Sequence, residues 1–252
     1  MPISDRMYDR GMKFAALTLL LCSAAFAQTD DFAKLKAQAD RDHKTLQDWP
    51  ALSRYSEANA QLAAPASGEK RVVFMGDSIT DAWIRLSPAF FKDHPYLDRG
   101  ISGQTTPQML IRFRPDVIAL KPKVVVILAG TNDIAGNTGP MTLEMIEDNL
   151  SSMAELAKVH GIKVVLSSVM PVCDYHRPQT ERRPPAKIIA LNEWIKDYCA
   201  KNKVVYLDYY SAMIDDQKML KKEITLDGLH PTADGYAIME PLAEKAVATA
   251  LR

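Results

Sequence analysis

No run of eighteen uncharged apolar residues occurs in the 252-residue chain, so no permanent membrane span is expected. Net charge is missing as well: 31 basic side chains balance 31 acidic ones, which favours neither nucleic acid nor an anionic membrane surface as a partner. There is no His-x-x-x-His and no Cys-x-x-Cys spacing, which disfavours a metal site. Internal repeats and low-complexity tracts are absent. Cysteine is scarce, with only Cys22, Cys173 and Cys199. What remains is an ordinary globular composition, 47% hydrophobic and 25% charged, in a length that suits one medium domain or two small ones.

The N-terminus has the pattern of an export leader. Lys13 precedes the apolar run from Phe14 to Phe26, and Ala25-Phe26-Ala27 supplies a small-x-small cleavage pattern, so removal after Ala27 is expected. The polar stretch from Met1 to Gly11 is long for such a leader, and Met12 is an alternative start. Cys22 suggests a lipoprotein box, but Leu21 before it is too bulky for the usual small residue. Export would leave Cys173 and Cys199 in an oxidising periplasmic or extracellular compartment. A helix of about fifteen residues separates them and spans about 22 Å, beyond disulfide reach, so two free thiols are expected.

Three segments follow: a leader over 1–27, a helical extension over 28–68, and a main domain over 69–252. In the extension, helices are expected at 30–47 and 51–63, the second with Leu52, Tyr55, Ala58 or Asn59, and Leu62 at helical spacing. After residue 70, strands alternate with helices. Strands are expected at 71–75, 96–100, 123–129, 163–168 and 203–207. Helices are expected at 105–120, 142–160, 186–200 and 232–251, with Pro115 kinking or splitting the first. Three of the strands are near-continuous Val/Ile/Leu runs, the mark of a parallel sheet covered on both faces. The fold class is therefore α/β with three layers.

Four short blocks carry chemistry. Gly76-Asp77-Ser78 follows the first strand at the expected start of a helix, which holds a serine clear of the sheet. Gly100-Ile101-Ser102-Gly103 follows the second strand, and Gly130-Thr131-Asn132-Asp133 follows the third. Asp227-Gly228-Leu229-His230-Pro231 sets a carboxylate three residues before a histidine. Ligands of open α/β sheets bind outside the carboxyl ends of the strands, so the first three blocks meet on one rim.

Blocks of Ser, Gly, Asn and Asp-His in this order resemble the SGNH (GDSL-type) hydrolases, a family of esterases and acylhydrolases, across residues 76–231. The resemblance implies a three-layer α/β/α sandwich with a five-stranded parallel sheet in the order 2-1-3-4-5. It also brings the Asp227–His230 loop to the same rim. Acyl transfer needs a nucleophile, a base and donors for the developing oxyanion. Ser78 is the candidate nucleophile, His230 the base and Asp227 its orienting carboxylate. The N–H groups of Ser78 and Gly103 and the amide of Asn132 are the candidate oxyanion donors. Asp77 and Asp133 are expected to brace loops. No cofactor is called for.

Other residues have ordinary roles. Trp83 reads more readily as core than as a substrate wall, and His176 as a solvated loop residue. The loop from Asp174 to Pro185, with Arg177, Arg182 and Arg183, suits either a pocket wall or a solvated charged loop. Asp98 and Gln104 stand where the family often has asparagine and aspartate. The expected activity is an exported serine esterase acting on small esters, with short acyl groups or acetyl groups on carbohydrate. Alternatives are a lysophospholipase or thioesterase of the same fold, or a non-catalytic carbohydrate-binding relative. The oligomeric state stays open.

Overall fold

A computed structural model describes residues 31–252, and the leader expected over 1–27 lies outside the described residues. The chain divides into two compact units, one ending at Trp49 and the other spanning Pro50–Arg252. In the first, residues 31–47 form helix α1, whose side chains are exposed. The division falls at Trp49/Pro50, whereas the sequence pattern places it near residue 68. Residues 50–68 go with the second unit because Tyr55 and Asn59 are tied to it. The Tyr55 hydroxyl donates to the Gly100 carbonyl, and the Asn59 amide donates to Asp116 at 2.7 Å.

The second unit starts with a short helix, α2 (Ser56–Gln61), rather than the expected 51–63. Ala51 takes a left-handed φ of 54°, which a continuous helix cannot contain, and Leu52 is exposed. Five strands follow: β1 (Val72–Gly76), β2 (Tyr96–Gly100), β3 (Val124–Leu128), β4 (Lys163–Ser167) and β5 (Val205–Leu207). All pair in parallel, in the order β2-β1-β3-β4-β5. The register Gly76↔Gly100 and Gly76↔Leu128 brings the ends of β1, β2 and β3 level, so the loops after them emerge side by side.

Each strand points alternate side chains to opposite faces, and each face has its own core. Val73 and Met75 of β1 pack with α5 (Thr106–Asp116), α7 (Leu143–Val159) and α8 (Pro185–Asn202). Val72 and Phe74 pack on the other side with α3 (Ser78–Leu86), α4 (Pro88–Lys92) and α10 (Ala233–Ala250). Pro115 leaves α5 only one further residue, Asp116, before the helix breaks at Val117. Short helices α6 (Thr131–Ile134) and α9 (Tyr210–Met213) follow β3 and β5. Cys199 belongs to the first core and Cys173 to the second, so the sheet separates the two thiols and both are free.

Trp83 fixes the helix that carries Ser78. It is 1% exposed, stacks on Phe90 at 4.7 Å and on Tyr236 at 5.3 Å, and meets Phe74 edge-on at 5.6 Å. Truncating an aromatic buried this fully costs about 3–5 kcal/mol, so Trp83 is core, as its spacing suggests. The Tyr236 hydroxyl donates to the Ile79 carbonyl at 2.6 Å, which locks α10 to the first turn of α3. The helix after Ser78 and the helix after His230 are thereby held as one piece.

Candidate active site

Ser78 is the first residue of α3, directly after the turn that ends β1. Asp77 caps that helix: its Oδ1 accepts from the Ile79 N–H at 3.0 Å. Position 78 is therefore fixed from both sides, by the strand and by the cap. From the far end of the chain, the loop between residues 225 and 231 reaches the same rim.

That loop is held by its own polar groups. Asp227 Oδ1 accepts from the N–H groups of Leu229 and His230 at 2.9 and 2.8 Å, and Thr225 Oγ1 accepts from the Gly228 N–H at 3.0 Å. Its other oxygen, Asp227 Oδ2, lies 2.7 Å from His230 Nδ1. His230 Nε2 in turn lies 2.9 Å from Ser78 Oγ. A carboxylate on Nδ1 keeps the proton there and leaves Nε2 as an acceptor for the serine hydroxyl. Burial raises the pKa of Asp227, but the bonds from the His230 ring and the two backbone N–H groups outweigh it and hold its carboxyl at about 2. The carboxylate is thus ionised at neutral pH, opposite the ring that must take up a proton.

Gly228 lets the loop dock. It takes φ 85°, and a Cβ there would stand 2.1 Å from the Cys173 carbonyl oxygen. Its own carbonyl accepts from the Cys173 N–H at 2.9 Å, so the loop is seated on the segment after β4.

The other candidates lie on the loops after β2 and β3. Gly103 has φ 80°, and a Cβ there would meet nothing nearer than Asn137 Nδ2 at 4.0 Å. Its glycine is required by conformation, not by crowding. Asn132 is buried on α6, and its Nδ2 donates to the Gln104 carbonyl at 3.1 Å and to Asp77 Oδ2 at 3.3 Å. Asn132 is therefore joined to the Ser78 turn through Asp77. Burial pushes Asp77 up to about 6, against the Ile79 hydrogen bond and the charge of His230. Asp133 Oδ1 accepts from both the N–H and the hydroxyl of Thr106, at 2.8 and 2.6 Å, which ties α6 to the start of α5. Both carboxylates brace loops, as expected.

Sequence reasoning missed Arg183. It is 5% exposed and donates to Asn132 Oδ1 at 3.4 Å, to Thr131 Oγ1 at 3.2 Å and to Gln179 Oε1 at 2.9 Å. Gln179 in turn donates to the Asp227 carbonyl at 3.0 Å. A single side-chain relay therefore joins the Asn132 loop to the Asp227 loop. The available signal is the position of Arg183 just before Pro184-Pro185, since α8 starts at Pro185 and fixes the turn. His176 is an exposed loop residue, with Nε2 3.1 Å from the Lys222 carbonyl. Among the described residues, no three His, Cys, Asp or Glu side chains gather as a metal site.

A hydroxyl bonded to an imidazole, itself bonded to an ionised carboxylate, is the arrangement that acyl transfer to serine uses. The profile of the GDSL-like lipase/acylhydrolase family matches residues 74–238. The chain is similar to a solved GDSL-like lipase from Bacteroides thetaiotaomicron, with 48% identity over 80% of this chain and 98% of that one, at a TM-score of 0.76. It is also similar to human platelet-activating factor acetylhydrolase IB subunit alpha2, 27% identical over 70% of this chain and 76% of that protein. An 81-residue stretch is 37% identical to the Bacillus subtilis lipoprotein YqeF, covering 31% of this chain and only 33% of that protein. The chain belongs to the GDSL-like lipase/acylhydrolase family, and it is a hydrolase of ester bonds.

Proposed function

We propose that this protein is a serine esterase for short acyl esters that works through an acyl-enzyme on Ser78. The observation that carries the reading is the hydrogen-bonded chain from Ser78 through His230 to Asp227, at 2.9 and 2.7 Å. In this reading Ser78 Oγ attacks the ester carbonyl while Nε2 of His230 takes its proton. Collapse of the tetrahedral intermediate expels the alcohol, which receives that proton from His230, and water then repeats the sequence to release the acid. Asp227 holds the ring and stabilises the imidazolium.

The developing oxyanion is received by the N–H groups of Ser78 and Gly103 and by Nδ2 of Asn132. Ser78 is at the first position of α3, where a backbone N–H has no intrahelical acceptor. Asn132 already donates twice, and its 3.3 Å contact to Asp77 is the longer of the two and the one an oxyanion would share.

The preference for short acyl groups has one support: the similar mammalian protein is, by name, an acetylhydrolase. The groove of about 440 Å³ beside His230 leaves room for the alcohol. Acetyl groups on a carbohydrate alcohol fit such a site. The reading of export rests on the leader pattern, and similarity to a bacterial lipoprotein agrees with it. No helix among the described residues is long and apolar enough to cross a membrane.

The test is turnover of p-nitrophenyl esters of graded chain length by the wild type and by Ser78→Ala. Acetyl and butyryl esters should be cleaved faster than palmitoyl, and Ser78→Ala should abolish all of it. Rates that climb steadily to long chains would move the reading to a lysophospholipase. Full activity in Ser78→Ala would end the serine mechanism.

A further inference from the structure

The groove that opens beside His230 holds more positive charge than hydrolysis of a neutral ester needs. Arg85 of α3 and Arg177 of the loop after β4 line it together with Leu86, Leu226, His230 and Thr232. Both arginines are exposed, and neither has a hydrogen-bond or ion-pair partner among the described residues. Elsewhere on the rim the guanidinium groups are engaged: Arg183 as described above, and Arg182 with the Ala135 carbonyl and Asn137 Oδ1. The two in the groove are the ones left over.

Two further features favour an anion there. Thr232 and Ala233 open the 18-residue helix α10 on the groove wall, and that helix has no side-chain cap on its first N–H groups. The N-terminus of a helix of this length carries a partial positive charge and free donors. The one acidic side chain on the wall is Asp227, and its carboxylate is already taken up by His230 and two backbone N–H groups.

The side of the site on which the groove lies decides what fills it. The proton on His230 Nε2 goes to the leaving oxygen, so the alcohol departs past His230, while two of the three oxyanion donors, Gly103 and Asn132, lie after β2 and β3. We infer that this groove is the alcohol subsite and that it takes an alcohol bearing a carboxylate or a phosphate, held by Arg85, Arg177 and the start of α10. Arginine suits such a group because its planar fork donates two parallel bonds to two oxygens. Leu86 and Leu226 supply an apolar edge for the body of the alcohol. This inference rests on the Ser78 esterase reading and narrows its substrate to acidic esters, whether of an acidic sugar or of a phosphorylated alcohol.

Three acetyl esters with the same acyl group test it: methyl 4-acetoxybenzoate, 4-acetoxybenzoate and 4-acetoxyphenyl phosphate. The wild type is compared with Arg85→Gln/Arg177→Gln and with Arg85→Lys/Arg177→Lys. Comparing each ester between enzymes cancels the intrinsic reactivity of its leaving group. The glutamine double variant should lose at least about tenfold more kcat/KM on the charged esters than on the methyl ester, the size expected for losing charge-assisted bonds. The lysine variant should recover part of that loss. The gap should narrow as salt is raised, because the groove is open to solvent. Whichever charged ester loses more identifies the source, carboxylate or phosphate. Equal losses on all three esters would overturn the inference while leaving the esterase reading intact. Activity on the methyl ester that survives Ser78→Ala would instead overturn the esterase reading.

Discussion

Arg183 Nη2 lies 3.4 Å from Asn132 Oδ1, while Asn132 Nδ2 donates to Gln104 and Asp77. Only one orientation of the amide meets all three contacts, with oxygen toward the guanidinium and nitrogen toward Asp77 and Gln104. A reversed amide would set its NH₂ against a cation and its oxygen against a carbonyl and a carboxylate. Arg183 is thus a positioning residue for Asn132.

Replacing Arg183 should therefore act on kcat more than on KM. In Arg183→Met the amide loses its orienting cation, and kcat should fall by about tenfold or more, up to the loss seen when the amide itself is removed. Arg183→Lys keeps a cation near Oδ1 and should recover part of the rate. Steady-state kinetics on a short-chain ester, with a melting curve for each variant, makes the comparison. If lysine and methionine lowered Tm and kcat in parallel, Arg183 would be holding the loop and not the amide.

Asn132→Ala removes the donor itself and leaves Ser78 and His230 in place. The expected loss is about 10²–10³ in kcat, with little change in KM, since the bond strengthens only as charge develops on the oxygen. The variant should still be labelled by an organophosphate at Ser78, more slowly. A raised KM at constant kcat would make Asn132 a ground-state binding residue.

Local chemistry explains why the strands and the four blocks are legible from sequence. Val-Val-Val-Ile-Leu over 124–128, short, β-branched and closed by a glycine, reads as a strand buried on both faces, and the turn after it presents its next residues at the sheet end. Asp227 and His230 are legible as a pair because three residues of loop suffice to bring a carboxylate to the ring, whereas their place on the rim is read from the family resemblance. Arg183 is not, since Arg177, Arg182 and Arg183 look alike in a proline-rich loop. What distinguishes them is partners far away in the chain: Thr131 and Asn132 for Arg183, and the groove made by α3 and α10 for Arg177. The short helix α2 is misjudged in length for a related reason. Leu52 fits a helical stripe, but Ala51 breaks the backbone before it, and the contacts that matter are the polar ones of Tyr55 and Asn59.

Asp98 is a buried carboxylate whose cost can be measured. Its Oδ1 accepts from the Gly100 N–H at 2.7 Å, Oδ2 has no partner, and burial pushes the group up to about 7. An unfolded aspartate titrates near about 3.9, so between these values the folded state holds more protons than the unfolded one. Stability from this group is therefore full below about pH 4 and is lost as pH rises through about 7. Asp98→Asn keeps an acceptor for Gly100 and cannot ionise. Its Tm should gain on the wild type steadily from pH 4 to pH 7.5 and then level off. A Tm difference that did not vary with pH would show that Asp98 stays charged in the fold.

The last prediction concerns how the Asp227–His230 loop is held. Gly228→Ala meets two obstacles: a left-handed φ of 85°, and a Cβ 2.1 Å from the Cys173 carbonyl oxygen. The first costs about 1–2 kcal/mol for an L-residue. The second cannot be relieved by a rotamer, because the obstructing atom is backbone, so the loop must move off the segment after β4. Gly161→Ala separates the two effects. Gly161 has φ 71° with nothing within 4 Å of an added Cβ, and it ends α7, away from the rim where Ser78 and His230 meet. It should lower Tm and leave kcat near wild type. Gly228→Ala should lower Tm further and cost about 10² or more in kcat/KM, because a shift of about 1 Å in the base is enough for that. An organophosphate should label its Ser78 slowly, even in protein that melts cooperatively. If Gly228→Ala instead matched Gly161→Ala in both Tm and kcat, the Cys173 contact would not be what fixes His230 against Ser78.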